Sequence, residues 1–322
     1  MSARRHNKSH RMDLSATVSQ PRTASAAAAP PALQLEREGF AQRFNRDLFG
    51  FRHNLHEQAL FAPDSLLQLA ARYEPHPRDY FVAAAAPAAG TEFTSVRHSQ
   101  YGVAEALERL DREPTRILLK RPENHDPRFR ELLDTLFGQV MDLRGGLRGE
   151  RLVRLESAVF ITSASSITPI HFDPEIAFFM QIQGRKIYHL FAPESLPEAE
   201  LESFYRHGVV SIAEVDLSKR DPDLERVYTL EPGDGHHQPH DAPHWVETGP
   251  ERSVSYSFVF ETDATRARSR TRAFNFYLRR AGMTPDRPGS SAVRDAAKAA
   301  AMRVAFPIRR RLARFVPGLG GR

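Results

Sequence analysis

A histidine and an aspartate two residues apart are the feature of this sequence best suited to chemistry. They are His171 and Asp173, within the segment ITPIHFDPE (167–175). Side chains two residues apart on a β-strand leave the same face, so this imidazole and this carboxylate would lie side by side. They form two-thirds of the facial triad that holds non-haem Fe(II) and leaves three positions for a co-substrate and O₂. An H-x-D pair alone is a weak signal, because it occurs by chance in many chains.

The third ligand of such a triad should be a histidine on a later strand. The segment PGDGHHQPHDAPHWVE (232–247) offers His236, His237, His240 and His244. Pro-Gly-Asp at its start indicates a turn, and His244 then opens an apolar run that predicts a strand. Its separation of 71 residues from Asp173 leaves room for several strands between the ligands. The other three histidines stay open as groups that hydrogen-bond the ligands or as rival ligands.

The composition is that of a globular protein with an ample core. The chain has 322 residues, of which 41% are hydrophobic and 26% charged, and it has no cysteine. Disulfides, thiolate zinc sites and cysteine nucleophiles are therefore excluded, and a metal must be held by histidine, carboxylate or carbonyl oxygen. The first twenty residues lack the apolar stretch of a secretory signal and no run is long enough for a transmembrane helix, which predicts a cytoplasmic protein.

The positive charge is concentrated in the two tails. Residues 1–34 carry a net +4 and residues 294–322 a net +7, whereas the whole chain is +5, so the body between them is −6. This distribution argues against a basic groove for nucleic acid in the core and favours a basic or neutral partner for the body. The tails themselves are expected to contact anionic surfaces.

Five regions are predicted along the chain. Residues 1–34 end in an Ala/Pro run and are expected to be a disordered basic tail. The remaining regions are a helical or mixed N-terminal region (35–150), a β-core with the metal site (151–262), a C-terminal helical extension (263–293) and a basic C-terminal segment (294–322). The fold class is thus mainly β with helical additions.

Short apolar runs separated by turn signals predict the strands of the β-core. They cover 157–163, 168–182, 185–192, 226–231, 244–248 and 253–260. Gln183-Gly184 between two of these runs predicts a tight hairpin turn. On the last run Ser253, Ser255 and Ser257 alternate with apolar residues, and the serine face either lines a pocket or meets solvent.

Several linked motifs resemble the JmjC-type, cupin-like Fe(II)/2-oxoglutarate dioxygenases. They are the T-P-x-H-x-D opening, the apolar strand after it, the G-x-K turn after the aspartate, and the P-G-D turn before a strand that opens with histidine. The likeness covers most of residues 36–290. It implies a double-stranded β-helix (cupin/jelly-roll) core and, as cofactors, Fe(II) with 2-oxoglutarate and O₂ as co-substrates.

The resemblance also assigns roles to residues. It implies that His171, Asp173 and His244 are the metal ligands and the catalytic centre, and that Lys186 and Thr168 hold the distal carboxylate of 2-oxoglutarate. Arg185 is the rival cation, but strand alternation places it on the opposite face from Lys186.

The chain also departs from the family pattern at two positions. Related hydroxylases often carry asparagine where this chain has Ala177, and again near the co-substrate where it has Ser257, which we expect to contact the co-substrate. These departures leave the ligand set intact and bear on the substrate and the co-substrate contacts.

The function implied is hydroxylation of a C–H bond, with a protein or peptide side chain as first choice and a small molecule as the alternative substrate. Two rivals stay open: a non-catalytic cupin-like protein that binds a metal or ligand in regulation, and a zinc cupin enzyme. Retention of the three ligand types together with Lys186 favours the oxygenase. The sequence predicts no oligomeric state.

Overall fold

The computed structural model describes residues 29–96, 99–208 and 212–312. Most of the basic N-terminal tail and the last ten residues of the C-terminal segment lie outside this range, so the expectations about them do too. No helix in the described part of the chain has the length and apolar character needed to cross a membrane.

The described residues form thirteen β-strands and seven α-helices. The strands are β1 (Leu33–Gln34), β2 (Phe49–His53), β3 (Tyr80–Ala84), β4 (Thr115–Lys120), β5 (Leu152–Thr162), β6 (Ile167–Phe172), β7 (Ile176–Gln183), β8 (Lys186–Phe191), β9 (Ala213–Glu214), β10 (Glu225–Leu230), β11 (Asp234–Gln238), β12 (His244–Thr248) and β13 (Ser253–Thr262). The helices are α1 (Phe40–Arg43), α2 (Pro63–Tyr73), α3 (Val103–Arg109), α4 (Pro127–Arg144), α5 (Glu198–Tyr205), α6 (Asp263–Arg280) and α7 (Ala292–Leu312).

The strands form two antiparallel sheets. The larger has the order β1-β2-β11-β7-β13-β5-β4-β3 and the smaller β10-β8-β12-β6-β9. From β5 to β8, and again from β10 to β13, consecutive strands alternate between the sheets. This winding defines a double-stranded β-helix, so the predicted fold class is confirmed.

Three apolar clusters hold the layers together. The largest lies between the outer face of the larger sheet and helices α2, α3 and α4, with rings such as Phe129 and Tyr256 at its centre. A second packs helices α5, α6 and α7 on the outer face of the smaller sheet, around Phe172 and Tyr205. A third lies between the sheets and includes Tyr188 and Val246. The helices thus cover the outer faces and leave the space between the sheets for a site.

Several sequence-based boundaries need correction. The single strand predicted for 168–182 is two strands, β6 and β7, which lie in different sheets on either side of Asp173. The tail predicted for 1–34 contains β1, whose Leu33 pairs with His53 of β2. The polar segment DGHHQ was not predicted as a strand, yet it forms β11 between β2 and β7.

The expected hairpin at Gln183-Gly184 is also wrong. Strands β7 and β8 do not pair, because the turn carries the chain from the larger sheet to the smaller. Gly184 adopts a φ of +65°, and a Cβ atom there would lie 2.3 Å from the carbonyl oxygen of Arg252. The crossing between sheets therefore requires glycine.

We expect Gly184→Ala to lower the free energy of unfolding by about 2–4 kcal/mol, because it adds both a strained φ and a clash with backbone. Urea denaturation measures this change. The matched control is Gly138→Ala within α4, where a Cβ meets nothing within 4 Å. There the substitution should raise stability by up to about 1 kcal/mol. Equal effects of the two substitutions would contradict this account of the turn.

Candidate metal centre and cavity

His171, Asp173 and His244 converge at one point between the sheets. Each offers one ligand atom, and the three atoms lie within 4.8 Å of one another. Asp173 Oδ2 is 3.9 Å from His171 Nε2 and 3.8 Å from His244 Nε2. Two imidazole nitrogens and a carboxylate oxygen are a donor set that suits a divalent transition metal. The donor chemistry therefore fits a metal site.

Strand register brings the two histidines together. His244 is the first residue of β12 and is the register partner of His171 near the end of β6. Their ring centroids are 4.3 Å apart. Asp173 follows β6 directly, and its carbonyl oxygen accepts a hydrogen bond from the backbone of Asp241, 3.3 Å away. The loop that leads into β12 thus also holds the chain at Asp173.

A β-bulge in β6 places Thr168 on the same side as His171. These residues are three apart, so regular alternation would put them on opposite faces. The register shifts because three steps on β6, from Thr168 to His171, match only two on β12, from Val246 to His244. Pro169, which has no N–H to donate, lies within this irregular stretch. Its carbonyl oxygen instead accepts from His171, with 2.7 Å between it and Nδ1.

The hydrogen bonds of both imidazoles leave Nε2 available for a metal. A carbonyl oxygen can only accept, so Nδ1 of His171 carries the hydrogen donated to Pro169. Nδ1 of His244 lies 3.3 Å from the carbonyl oxygen of Ala242, and donation to this oxygen leaves Nε2 without a hydrogen. Such contacts fix the ring orientation and the tautomer of a ligating histidine.

Burial keeps the imidazoles in the neutral form that binds metals. Removal from water lowers the pKa of His171 to about 4 and that of His244 to about 4. Burial also raises the pKa of Asp173, against the pull of His244 and Arg154. A divalent cation among these three groups would favour the ionised carboxylate and reverse that effect.

The triad opens into a cavity of about 550 Å³ between the two sheets. All six residues that the sequence predicts for the site line it, namely His171, Asp173, His244, Thr168, Lys186 and Ser257. The structure therefore gathers the complete predicted set around one cavity.

Lys186 is a buried cation inside this cavity. It is 4% exposed, and its Nζ lies 5.7 Å from the ring centroid of Phe160 and 5.5 Å from that of Phe179. The described residues give it no ion-pair partner, whereas its neighbour Arg185 lies outside and pairs with Glu231 at 2.5 Å. Burial, and then the charge of Arg116, lower the pKa of Lys186 to about 7.

The serine face of β13 is buried rather than solvated. Ser253 and Ser255 hydrogen-bond the side chain of Gln181, each at 2.8 Å, and only Ser257 of the three reaches the cavity. Ala177, at one of the two departures from the family pattern, also lines the cavity. The serine face therefore lies inside the protein and does not meet solvent.

The three remaining histidines of the 232–247 segment lie outside the triad. His237 lies 3.0 Å from the carbonyl oxygen of Ala177 and stacks on Phe44. His236 is buried between aromatic rings and has no hydrogen-bond partner among the described residues. His240 lies beside Asp241, with 2.6 Å between Nδ1 and Oδ2. None of them belongs to the metal-binding group found in the described residues.

Sequence reasoning missed three residues of the cavity. Tyr188 lies two residues after Lys186 on β8, so strand alternation alone would have indicated it. Arg116 was interpreted only as part of an apolar strand, although it shares a strand face with Lys120 in TRILLK. Phe93, 4.8 Å from the His171 ring centroid, lies in an irregular segment and carried no sequence signal.

Comparisons with known proteins give only distant likenesses. Neither a scan of protein-family models nor a search of curated proteins found a match. Among solved structures, YcfD, a ribosomal oxygenase from Escherichia coli in complex with cobalt and 2-oxoglutarate, has a TM-score of 0.48 and 18% identity, and the match covers 86% of this chain and 68% of that one. The same protein with cobalt and succinic acid has a TM-score of 0.47 and 17% identity, with the same coverage.

A third solved structure shares only part of the chain. The DMSP lyase DddQ from Ruegeria pomeroyi DSS-3 has a TM-score of 0.22 and 16% identity, over 33% of this chain and 38% of that one. The strand order of the two sheets defines a cupin-like double-stranded β-helix without reference to these structures. Likenesses this distant assign no activity, so the activity has to be argued from the site.

We expect His171→Ala and His244→Ala each to weaken binding of Mn(II) more than about 100-fold, because each removes one of three ligands. Isothermal titration calorimetry of the metal-free chain measures this affinity. His189→Ala is the matched control. His189 lies on β8, in the same sheet as the two ligands, but it stacks on Trp245 outside the cavity. Equal loss in the control would contradict the assignment of the site.

Proposed function

We propose that this protein is an Fe(II)- and 2-oxoglutarate-dependent oxygenase that hydroxylates a C–H bond. Two features of one cavity carry the proposal. One is an open group of two imidazoles and a carboxylate, and the other is the buried Lys186, which has no anionic partner among the described residues. Neither feature is explained by stability, because burial of an unpaired charge is costly. Together they match a small dicarboxylate that chelates a metal at one end.

In this proposal His171, Asp173 and His244 hold Fe(II) and leave half of its coordination positions vacant. When bound, the iron with 2-oxoglutarate and O₂ supplies the oxidation, which yields the hydroxylated substrate, succinate and CO₂. The protein orients the ligands through the hydrogen bonds of the two Nδ1 atoms.

Lys186 and Thr168 would bind the distal carboxylate of 2-oxoglutarate. An ammonium and a hydroxyl both donate hydrogen bonds, and a carboxylate accepts several. The rings of Phe160 and Phe179 flank the ammonium and exclude water around it, which strengthens its attraction for a carboxylate. Ser257 offers a further hydroxyl on the opposite sheet.

The first choice of substrate remains a protein or peptide side chain, with a small metabolite as the alternative. The cavity is lined by both sheets and reaches the exposed Ile212 and Arg78, so a substrate group would approach from that side.

Cytoplasmic location and partner contacts of the basic tails are further expectations from the sequence.

The chain with Fe(II) should turn over 2-oxoglutarate slowly even without substrate and release succinate. We expect His171→Ala to reduce this release to the background of the metal and co-substrate alone, because the iron loses a ligand. The measurement is succinate formed per enzyme, with His189→Ala as control. Succinate release by the wild type no higher than that of His171→Ala would mean that the chain is a non-catalytic cupin.

The affinity for 2-oxoglutarate should fall as pH rises above about 7. Only the protonated form of Lys186 attracts the carboxylate, and its pKa in the free cavity is about 7. The dissociation constant should therefore be constant below that pH and rise up to about tenfold per pH unit above it. Calorimetry with the Mn(II)-loaded chain between pH 6.5 and 9 measures this dependence.

Lys186→Arg supplies the control for the pH dependence, because a guanidinium stays charged throughout this range. Its 2-oxoglutarate affinity should change little with pH. A wild-type affinity that is independent of pH would contradict the role given to Lys186.

A further inference from the structure

A second cation, the half-buried Arg116, faces the same cavity from a different wall. It lies on β4, where Thr115, Ile117 and Leu119 are buried on the opposite face. Its Nη1 is enclosed and has no hydrogen-bond partner among the described residues. Burial lowers its pKa to about 10. In the part of the chain that the structure describes, no carboxylate pairs with this guanidinium as a counter-ion.

Arg116 and Lys186 pack against different rings. The guanidinium carbon of Arg116 lies 5.5 Å from the ring centroid of Phe93, and that ring lies 4.8 Å from the ring of His171. Lys186 instead lies between Phe160 and Phe179. Arg116 therefore borders the metal site on the Phe93 side, whereas Lys186 borders the part of the cavity between those two rings.

The acidic residues of the cavity wall do not neutralise Arg116. Glu156 and Glu175 both pair with Arg154, which lies on β5. Asp173 belongs to the metal-binding group. The carboxylates of the wall are thus engaged elsewhere, and the face of β4 that borders the cavity stays cationic through Arg116 and Lys120.

Building on the proposed function, we propose that the primary substrate carries a carboxylate and that Arg116 binds it beside the metal. A guanidinium forms a bidentate pair with a carboxylate, so Arg116 is suited to bind a single carboxylate. This assignment narrows the substrate to acids, against the basic or neutral partner that the net charge of the body favours. The carboxylate would anchor the substrate while its C–H bond faces the iron.

The test compares matched acids and amides on the full chain loaded with Mn(II) and 2-oxoglutarate. The probes are the straight-chain acids from acetate to octanoate and their amides, with binding measured by calorimetry. We expect at least one acid to bind more than tenfold tighter than its amide. At pH 6.5, where Lys186 is mostly protonated whether or not Arg116 is charged, Arg116→Gln should remove that preference and leave the 2-oxoglutarate affinity within twofold. Arg185→Gln, which removes the same charge outside the cavity, should change neither.

Three results would overturn the proposal. One is that no acid of the set binds tighter than its amide. Another is that Arg116→Gln keeps the preference. The third is that Arg116→Gln weakens 2-oxoglutarate as strongly as the acid, which would place Arg116 in the co-substrate site. Failure of the proposed function gives a different result, since the wild type would then not bind 2-oxoglutarate at all.

Discussion

The register between β6 and β12 fixes the geometry of the metal centre. It makes His171 and His244 partners across two neighbouring strands, although 73 residues separate them along the chain. The pairing requires that the intervening strands alternate between sheets, because β7 and β11 must leave room for β6, β8 and β12 to lie side by side. A slip of one residue would turn His244 to the outer face of the sheet.

The electrostatics of the cavity follow from this scaffold. Helices cover the outer faces of both sheets, so the space between the sheets is sheltered from water and its charged groups lie in a low dielectric. Lys186 and Arg116 have no carboxylate partner within residues 29–96, 99–208 and 212–312, and the buried imidazoles stay neutral. The cavity therefore presents cations and neutral donors to whatever enters it. Such an interior is costly for folding and suits a metal with anionic ligands.

The sequence predicts the residues of the site better than the strands and turns that position them. His171, Asp173, His244 and Lys186 are found because short motifs place them at strand ends and turns, where local rules hold. Strand β11 was missed because its polar residues have low strand propensity, and pairing with β2 and β7 on both sides overrides that propensity. The hairpin at Gln183-Gly184 was wrong because a local turn signal cannot tell whether the next strand pairs or changes sheet.

The remaining features depend on three-dimensional contacts that no spacing encodes. The bulge at Pro169 brings Thr168 to the same face as His171, whereas simple alternation would have separated them. The exposure of Arg116 to the cavity depends on the pairing of β4 with β5 in the larger sheet, and β4 lies far from the motifs in sequence. A residue such as Arg116 is identified from the structure, because only the packing around a charged group shows whether it has a partner.

An anaerobic titration of the metal-free chain with Fe(II), followed by absorption with and without 2-oxoglutarate, tests directly whether His171, Asp173 and His244 hold iron. If two imidazoles and one carboxylate hold the iron and leave positions for a chelating co-substrate, a metal-to-ligand charge-transfer band appears only when 2-oxoglutarate is added. It then saturates at one iron per chain. Tight zinc binding combined with a spectrum indifferent to 2-oxoglutarate would contradict the account.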